Sequence, residues 1–377
     1  MNFPKPDFHK PISLHIQIAE IIEKIIVDKE IPVGENLPPE NTLCDSFGVN
    51  VHTLRKALAL LVKKGYLFRR PKHGTVVVSA KPDTSIDISK RNGICLVICT
   101  GSVFKPFGSQ IFNEMINGIE GCAREKSLNL LYRTLDESDK KLYLSGKENE
   151  LAGLIVTGNN TPKHFKIIKK IGIPFVLIGD LYQKERVTEP VDIIATDDFG
   201  SSHLATKHLI GLGHKQIACF ARDFSYPWGE DILDGYRQAL KEAGLPYNKE
   251  LVVQTGVPGV NPGYSAMQKF LEKGGNPGAC APDFTGLVCM DSSKIYFGIM
   301  KAFGEKNIRV PEDVSVVLDE HISDFTATTV DYREVGKATL DRLVEKLTGG
   351  ADWKPQRLVI PGKLVPGSSS VKYIKGK

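Results

Sequence analysis

The amino-acid sequence predicts a chain of two unlike parts: an N-terminal α+β unit of three helices and a hairpin, then a two-lobed α/β unit of doubly wound parallel sheets. Three observations support this division. Residues 50–78 hold seven Lys or Arg and no acidic residue, residues 81–91 are polar without apolar periodicity, and from residue 92 short apolar strands alternate with amphipathic helices. We therefore expect the first unit at 1–79, a linker at 80–91 and the second unit at 92–377.

The first two helices are predicted from apolar spacing and from proline. A stripe of apolar residues three and four positions apart consists of Ile12, Ile16, Ala19, Ile22 and Ile26. Pro39 suits the start of a second helix, Glu40 to Phe47, because a residue in the first turn has no intrahelical N–H bond to lose. Gly48 should end that helix.

A third helix should run from Asn50, which can cap its first turn, to about Lys64. Its apolar stripe is Leu54, Ala57, Leu58 and Leu61, so the residues near its exposed start are His52, Thr53, Arg55 and Lys56. Two short strands follow, 66–70 and 75–78, joined by a basic turn at 71–74. One basic residue alone would be an ordinary solvated charge. Seven on one helix and one hairpin favour double-stranded DNA as the partner.

The remaining composition restricts the other possibilities. The formal net charge is only +5, so the positive charge is local to the first unit. The seven cysteines lie mostly in apolar runs and form no CxxC pair, which indicates buried, reduced thiols in a cytoplasmic protein. No apolar run reaches the ~20 residues of a membrane helix, so export and membrane insertion are not expected.

The motifs of the first unit resemble the winged helix-turn-helix domain of GntR-family bacterial regulators. They are Leu37–Glu40, Phe47–Leu58, Gly65–Leu67 and His73–Thr75. The resemblance, with the basic wing tip, implies DNA contacts by Asn41, Asn50, His52, Thr53, Arg55, Lys72, His73 and Gly74. Asn41 and Val51 stand where the family often has arginine, so bidentate arginine–guanine contacts are missing there and the operator should differ. In place of such contacts, Asn41 or Asn50 would bind adenine and the Val51 methyl groups would contact a thymine methyl; a packing role is the open alternative.

The second unit resembles the effector domain of LacI/GalR regulators. The matching blocks, in the family's order, are 111–124, 172–178, 197–214, 234–240 and 310–317. The resemblance implies a two-lobed fold like that of type I periplasmic binding proteins, a homodimer, and a small ligand where the strand C-termini of both lobes face each other.

The loops at those strand ends supply aromatic, amide and carboxylate groups that suit a neutral sugar. The candidate effector-binding residues are Phe104, Phe107, Ser109, Gln110, Asp180, Trp228, Glu230, Asp231, Asp291, Ser292, Asp319 and Glu320. Three departures from sugar-responsive relatives are Ile232 in place of an arginine, Ser292–Ser293 in place of an Asn-Asp pair, and a shortened stretch after Glu320. Trp228 alone is equally compatible with a core position, and Glu230 and Asp231 suit a helix start with no ligand at all.

The expected function is a homodimeric transcription regulator, a repressor, controlled by a monosaccharide; the domain plan resembles that of the arabinose-type regulators of bacteria. A nucleobase or a sugar phosphate is the alternative effector. An enzyme is a second class, but the sequence has no GxGxxG after the first strand, no GxSxG, no P-loop and no metal-spaced His/Cys cluster. We therefore expect no catalytic residue, no cofactor and no metal. A transport binding protein is the third class, which the basic first unit opposes.

Overall fold

The computed structural model describes residues 3–8, 12–28, 30–70, 74–80, 91–101, 110–148, 150–273, 284–290, 294–350 and 353–374. The chain divides into two compact units, Met1–Lys90 with Val344–Lys354, and Arg91–Leu343 with Pro355–Lys377. We call the described residues before Arg91 the head and those of the second unit the body. The predicted linker at 80–91 falls almost entirely on 81–90, outside the described residues.

The head contains the three predicted helices and the hairpin. They are α1 Leu14–Val27, α2 Glu40–Phe47, α3 Val51–Lys63, β1 Leu67–Arg70 and β2 Gly74–Val77, with β1 and β2 antiparallel. Gly48 ends α2 in the left-handed conformation at φ 67°, and the Asn50 side chain accepts a hydrogen bond from the Thr53 amide at 2.9 Å. The predicted stripe of α3 is fully buried in one apolar core with α1 and α2.

The predicted stripe of α1 is wrong at its first two positions. Ile12 precedes the helix and is 44% exposed, and Ile16 is 39% exposed. The predicted residues Ala19, Ile22 and Ile26 do lie in the core, and Ile18 joins them there. Ile16 lies about 200° around the helix from Ile18, at 100° per residue, so both cannot face the core.

The first lobe of the body is a six-stranded parallel sheet. Its strands are β3 Gly93–Thr100, β4 Asn129–Asp136, β5 Leu151–Gly158, β6 Phe175–Ile178, β7 Asp192–Thr196 and β13 Arg357–Ile360, in the spatial order β13-β7-β6-β5-β3-β4. Its helices are α4 Gln110–Glu125, α5 Pro162–Ile171 and α10 Tyr332–Thr348. The central strands β3 and β5 are apolar and buried along almost their whole length, as expected where a sheet is covered on both faces.

The second lobe has the same plan. Its strands are β8 Ile217–Ala221, β9 Val252–Gln254, β10 Gly286–Cys289, β11 Ser315–Leu318, β12 Thr326–Val330 and β14 Gly362–Val365, in the order β14-β12-β11-β10-β8-β9. Only β14 is antiparallel to its neighbour, β12. The helices are α6 Asp198–Gly211, α7 Pro227–Glu242, α8 Val260–Lys273 and α9 Ile295–Glu305.

The chain crosses between the lobes in three places. The crossings lie between β7 and α6, between β12 and α10, and between β13 and β14. The first and third run side by side, because the Asp197 amide donates to the Ile360 carbonyl at 3.0 Å. The two lobes and their parallel sheets confirm the predicted fold class.

Three smaller expectations concern groups within the described residues. None of the described helices is long and apolar enough to cross a membrane. The described cysteines are all buried free thiols, and burial raises the pKa of Cys95 and Cys99 to about 12. No three His, Cys, Asp or Glu side chains of the described residues lie together as metal ligands would.

Candidate functional site

The start of α3 presents polar side chains to solvent. Asn41, Asn50, His52 and Arg55 are exposed, and Thr53 is half-buried. The Asn50 oxygen already holds the Thr53 amide, so a bidentate contact between Asn50 and adenine would require this cap to break. Val51 packs against the core of the head, which favours the packing role for it. Asn41 lies on the first turn of α2 as an exposed residue.

The Glu40 carboxylate joins α3, the recognition helix of the helix-turn-helix, to the β1–β2 hairpin, which is the wing. Its Oε2 accepts a hydrogen bond from Arg55 Nε at 2.9 Å, and its Oε1 contacts Arg69 of β1. The two arginine side chains stay 59% and 50% exposed, while that of Glu40 is 26% exposed. Glu40 therefore fixes both guanidinium groups at one surface while leaving each open on its outer side. Sequence reasoning singled out Arg55 but neither Glu40 nor Arg69.

The predicted contacts of the wing are only partly described. Lys72 and His73 lie outside the described residues. Gly74 is exposed at the first position of β2 with φ +88°, a conformation that L side chains rarely adopt. This supports the predicted glycine turn at the hairpin tip.

In the body, the carboxyl ends of β6 and β8 meet across the two lobes. Arg186, in the loop after β6, contacts the Asp231 carboxylate on α7, and its Nη2 also donates to the Pro227 carbonyl at 3.3 Å. Asp231 is therefore already paired, and Glu230 beside it points to solvent. We call this contact the inter-lobe clasp.

Aromatic rings fill the space beside the clasp. Tyr226 and Trp228 of the second lobe stack with centroids 4.7 Å apart and planes 11° apart. Tyr182 of the first lobe lies 4.6 Å from Tyr226 and 5.5 Å from Trp228. The Arg222 guanidinium lies over both Tyr182 and Trp228, at 5.7 Å and 5.5 Å from the ring centroids. Trp228 is thus part of an aromatic cluster that spans the two lobes. This position differs from a simple place in the core of one lobe.

The indole N–H of Trp228 is buried, and among the described residues it has no hydrogen-bond partner. A buried donor of this kind usually finds an acceptor in a neighbouring group, in water or in a ligand. The atom therefore marks a position where a ligand oxygen would be stabilised.

Asp180 lies close by but is committed to a different contact. Its two oxygens accept hydrogen bonds from Arg357 of β13 at 2.6 and 2.9 Å, and its side chain is only 6% exposed. A bidentate pair of this kind holds both groups in place. Asp180 therefore shapes the wall of the cleft, and its oxygens are not available to a ligand without a break in this pair.

The other predicted effector residues are partly described. Gln110 is exposed at the first position of α4, and Asp319 and Glu320 are half-buried after β11. Burial, and next the charge of Asp319, raises the pKa of Glu320, while the charge of Lys294 lowers it. Phe104, Phe107, Ser109, Asp291 and Ser292 lie outside the described residues.

Known protein families match two separate parts of the chain, one in the head and one in the body. Residues 14–77 match the family described as bacterial regulatory proteins of the gntR family, and residues 206–370 match the periplasmic binding protein-like domain. The chain carries a GntR-type head and a binding-protein-like body.

Two named relatives match most of this chain and most of their own length. The arabinose metabolism transcriptional repressor of Geobacillus stearothermophilus is 27% identical over 85% of both chains. The regulator CelR of Thermobifida fusca is 26% identical over 74% of this chain and 81% of its own. Among solved structures, a CelR–cellobiose complex covers 89% of this chain and all of its own, with 20% identity and a TM-score of 0.60, which supports the fold. These relatives are transcription regulators, and none of the three is named as an enzyme.

Several residues of the binding-protein-like body were missed by sequence reasoning. They are Tyr182, Arg186, Arg222, Tyr226 and Arg357. Tyr182 and Arg222 follow β6 and β8 closely, so the same rule about strand ends that selected Asp180 and Trp228 also applied to them. The structure thus brings three arginines, Arg186, Arg222 and Arg357, to this end of the sheets.

Asp136 at the end of β4 was missed for a different reason, since β4 itself was not predicted. Its carboxylate accepts hydrogen bonds from the Ser138 hydroxyl at 2.7 Å, the Ser138 amide at 3.0 Å and the Thr100 hydroxyl at 3.0 Å. These bonds lower the pKa of Asp136 to about 2. Asp136 therefore organises the turn after β4 and stays ionised at any physiological pH.

Proposed function

We propose that the chain is a cytoplasmic transcription repressor whose GntR-type head binds an operator and whose body binds a small sugar-like effector between its lobes. The observation that carries the proposal is the aromatic cluster that links the lobes at the carboxyl ends of β6 and β8. A ligand that enters this cleft changes contacts on both lobes at once. It can shift the protein between DNA-competent and DNA-incompetent states through its different affinity for the two.

A neutral monosaccharide is the effector class that best suits the cleft. Stacked aromatic rings bind the apolar faces of sugars, and the buried Trp228 N–H provides a donor for a hydroxyl oxygen. Arg186 and Arg357 are each paired with a carboxylate, so their charge is largely balanced without an anionic ligand. Named relatives point to sugars, since one is an arabinose metabolism repressor and two solved structures hold cellobiose and ribose. A nucleobase or a sugar phosphate is the alternative.

For the head, we propose that Asn41, Asn50, His52, Thr53, Arg55, Lys72, His73 and Gly74 form the DNA contact surface. The exposed start of α3 and the acid-free stretch around it support this surface. A single recognition helix contacts one half-site, so we also propose a homodimer on a palindromic operator.

The first experiment combines ligand binding with DNA binding. The full-length protein selects its operator from a pool of random duplexes, and a panel of monosaccharides, sugar phosphates and nucleobases is screened by thermal shift. One sugar should raise the unfolding midpoint by mass action and change operator affinity. Trp228→Phe, which keeps an aromatic ring but removes the indole N–H, should weaken the sugar's effect, and Tyr247→Phe is a control at an exposed aromatic of the same lobe.

Three results would contradict the proposal in different parts. Failure to select any duplex would exclude the proposed role of the head. A shift by a phosphate or nucleobase alone would replace the sugar. A sugar that binds without changing operator affinity would exclude the proposed coupling.

A further inference from the structure

The segment before α1, Phe3–Phe8, is fixed on the surface of the head. It lies outside the range that matches the gntR family, which begins at residue 14. Phe3 is only 6% exposed and belongs to the core of the head, where its ring meets that of Phe47 edge to face at 5.3 Å. The beginning of the segment is therefore anchored on the end of α2.

A buried glutamine anchors the other end. Gln17 of α1 is 7% exposed, and its Oε1 accepts a hydrogen bond from the Asp7 amide at 2.8 Å. Its Nε2 donates to the Asp7 carbonyl at 3.0 Å and to the Ile12 carbonyl at 2.8 Å. Between the two anchors, Pro4 and Pro6 restrict the backbone further. The segment is therefore held in one conformation by the head itself.

This conformation places the Phe8 ring beside the turn of the helix-turn-helix. The Phe8 Cζ atom lies 3.8 Å from the position that a Cβ on Gly48 would occupy. Gly48 ends α2, and Asn50, two residues further on, caps the recognition helix. Phe8 remains 55% exposed. A single exposed aromatic is common on protein surfaces, but this one is fixed at the entrance of the recognition helix.

We infer that Phe8 is a DNA-contacting residue, whose ring packs on deoxyribose or a thymine methyl of the operator beside the half-site contacted by α3. The inference rests on the proposed DNA binding of the head. A recognition helix enters the major groove with its N-terminal residues, so a side chain that covers the preceding turn lies next to the duplex. Apolar contact with a thymine methyl is an established mode of base recognition, and it needs no charge.

The test compares Phe8→Ala with the wild-type full-length protein on the selected operator over a range of salt concentrations. Operator affinity should fall about fivefold to tenfold, the size expected for loss of one small apolar contact. The slope of log affinity against log salt should not change, because no phosphate contact is lost. Val33→Ala is the matched control, since Val33 is 56% exposed and lies beside the base of the wing, where Gly34 contacts Val77.

A second variant distinguishes the loss of a DNA contact from the loss of packing within the head. Phe8→Trp keeps an aromatic ring at the turn, and its added fluorescence should shift when operator is bound, relative to the same titration of the wild type. An unchanged affinity of Phe8→Ala would overturn the inference, as would a lower affinity that is matched by a lower unfolding midpoint together with a silent Phe8→Trp signal. A change in self-association in place of DNA affinity would assign Phe8 to a protein contact and also overturn it.

Failure of the proposed DNA binding by the head would give a different result from failure of the Phe8 contact. If the wild-type protein selects no duplex, the proposed DNA binding itself is wrong. If Arg55→Ala lowers affinity and reduces the salt slope while Phe8→Ala does neither, DNA binding stands and only the role of Phe8 is lost.

Discussion

The two lobes of the body share one plan but are fastened by different chemistry. In the first lobe, the buried carboxylate of Asp192 on β7 meets Arg342 of α10, with Oδ1 2.8 Å from Nε and 2.7 Å from Nη2, and also accepts the Gln356 amide at 3.1 Å. One ion pair therefore ties a strand, a helix and the start of β13 together.

The second lobe uses neutral groups for the same purpose. The Ser369 hydroxyl accepts from the Thr326 amide at 2.9 Å and donates to the Val316 carbonyl at 2.6 Å. His214 contacts the Thr285 hydroxyl through Nδ1 at 2.9 Å and the Val371 carbonyl through Nε2 at 3.0 Å. Since a carbonyl only accepts, Nε2 carries the hydrogen. The segment after β14 is thereby attached along the amino ends of the strands.

The two lobes should therefore differ in how much stability they lose on substitution and on acidification. A buried ion pair that loses one partner leaves a charge with no compensation, which is strongly destabilising. A neutral hydroxyl or imidazole network loses less when one bond is removed. An imidazole in that network, however, is the group most easily protonated near neutral pH.

The largest effect is expected in the first lobe. Arg342→Ala should lower the free energy of unfolding by about 3–5 kcal/mol, because Asp192 would remain buried and charged. Urea unfolding followed by hydrogen exchange of β7 and β13 measures it. Arg309→Ala is the matched control, because the Arg309–Asp313 pair is exposed and should contribute no more than about 1 kcal/mol. Equal losses in the two variants would contradict the distinction between buried and exposed pairs.

The corresponding change in the second lobe should be smaller. Ser369→Ala leaves the buried Thr326 amide and the Val316 carbonyl without this hydroxyl, at a cost of about 1–3 kcal/mol. Faster hydrogen exchange at the Thr326 amide should accompany the lower urea midpoint. The neighbouring Ser368→Ala removes only an exposed bond to the Asp324 carbonyl and should have almost no effect. A loss as large as that of Arg342→Ala would remove the contrast between the lobes.

Acid should affect the second lobe before the first. Burial lowers the pKa of His208 and His214 below the ordinary value of 6.5. The unfolded state then binds more protons than the folded state, so the stability of this lobe is complete above pH 6.5 and is lost as pH falls through the lower folded-state pKa. Hydrogen exchange at pH 7.5 and 5.5 should show loosening of β11 and β12 but not of β7.

A variant separates the imidazole from other acid effects. His214→Asn should be less stable than the wild type at pH 7.5 but show a weaker pH dependence, because the titrating group is gone. If its pH dependence equals that of the wild type, His214 does not cause the acid sensitivity.

The smallest effect on stability should come from the clasp between the lobes. The Arg186 side chain is 46% exposed, so Arg186→Ala should change the free energy of unfolding by less than about 1 kcal/mol. It should nevertheless free the loop after β6 from α7, which small-angle scattering would report as more open lobes. Lys169→Ala, which removes an exposed pair with Glu189 within the first lobe, is the control. An unchanged scattering profile would show that the inter-lobe clasp does not keep the lobes closed.

The head was predictable from sequence almost residue by residue. Its elements are local, and Pro39, Gly48 and Asn50 mark helix ends through backbone chemistry that needs no distant partner. Only the start of the α1 stripe was wrong, because Ile12 precedes the helix and Ile16 is exposed. The ion pairs of Glu40 with Arg55 and Arg69 could not be predicted from the sequence either, because they join three separate elements.

The body was predicted in class and in most of its buried strands, but several other strands were missed, among them β4, β13 and β14. Strand β4 alternates exposed and half-buried residues at the sheet edge, and β13 and β14 are four-residue strands. Such short or half-exposed strands lack the continuous apolar run that identified β3 and β5. In the cleft, Asp180 and Asp231 were chosen by residue type, whereas their pairing with Arg357 and Arg186 depends on contacts 177 and 45 residues apart.

The Glu40 contact has a consequence for how the head exchanges ions with its surroundings. Two guanidinium charges and one carboxylate leave one net positive charge at the meeting point of α2, α3 and the wing. In the free head, the Glu40 carboxylate is therefore the counter-ion of the two arginines. The pair binds fewer anions from solution than two isolated arginines would. When phosphates arrive, they compete with an internal carboxylate instead of with dissolved anions. Glu40→Gln would remove that competitor, so nonspecific duplexes would gain affinity more than the operator, and selectivity would decline as attraction increased.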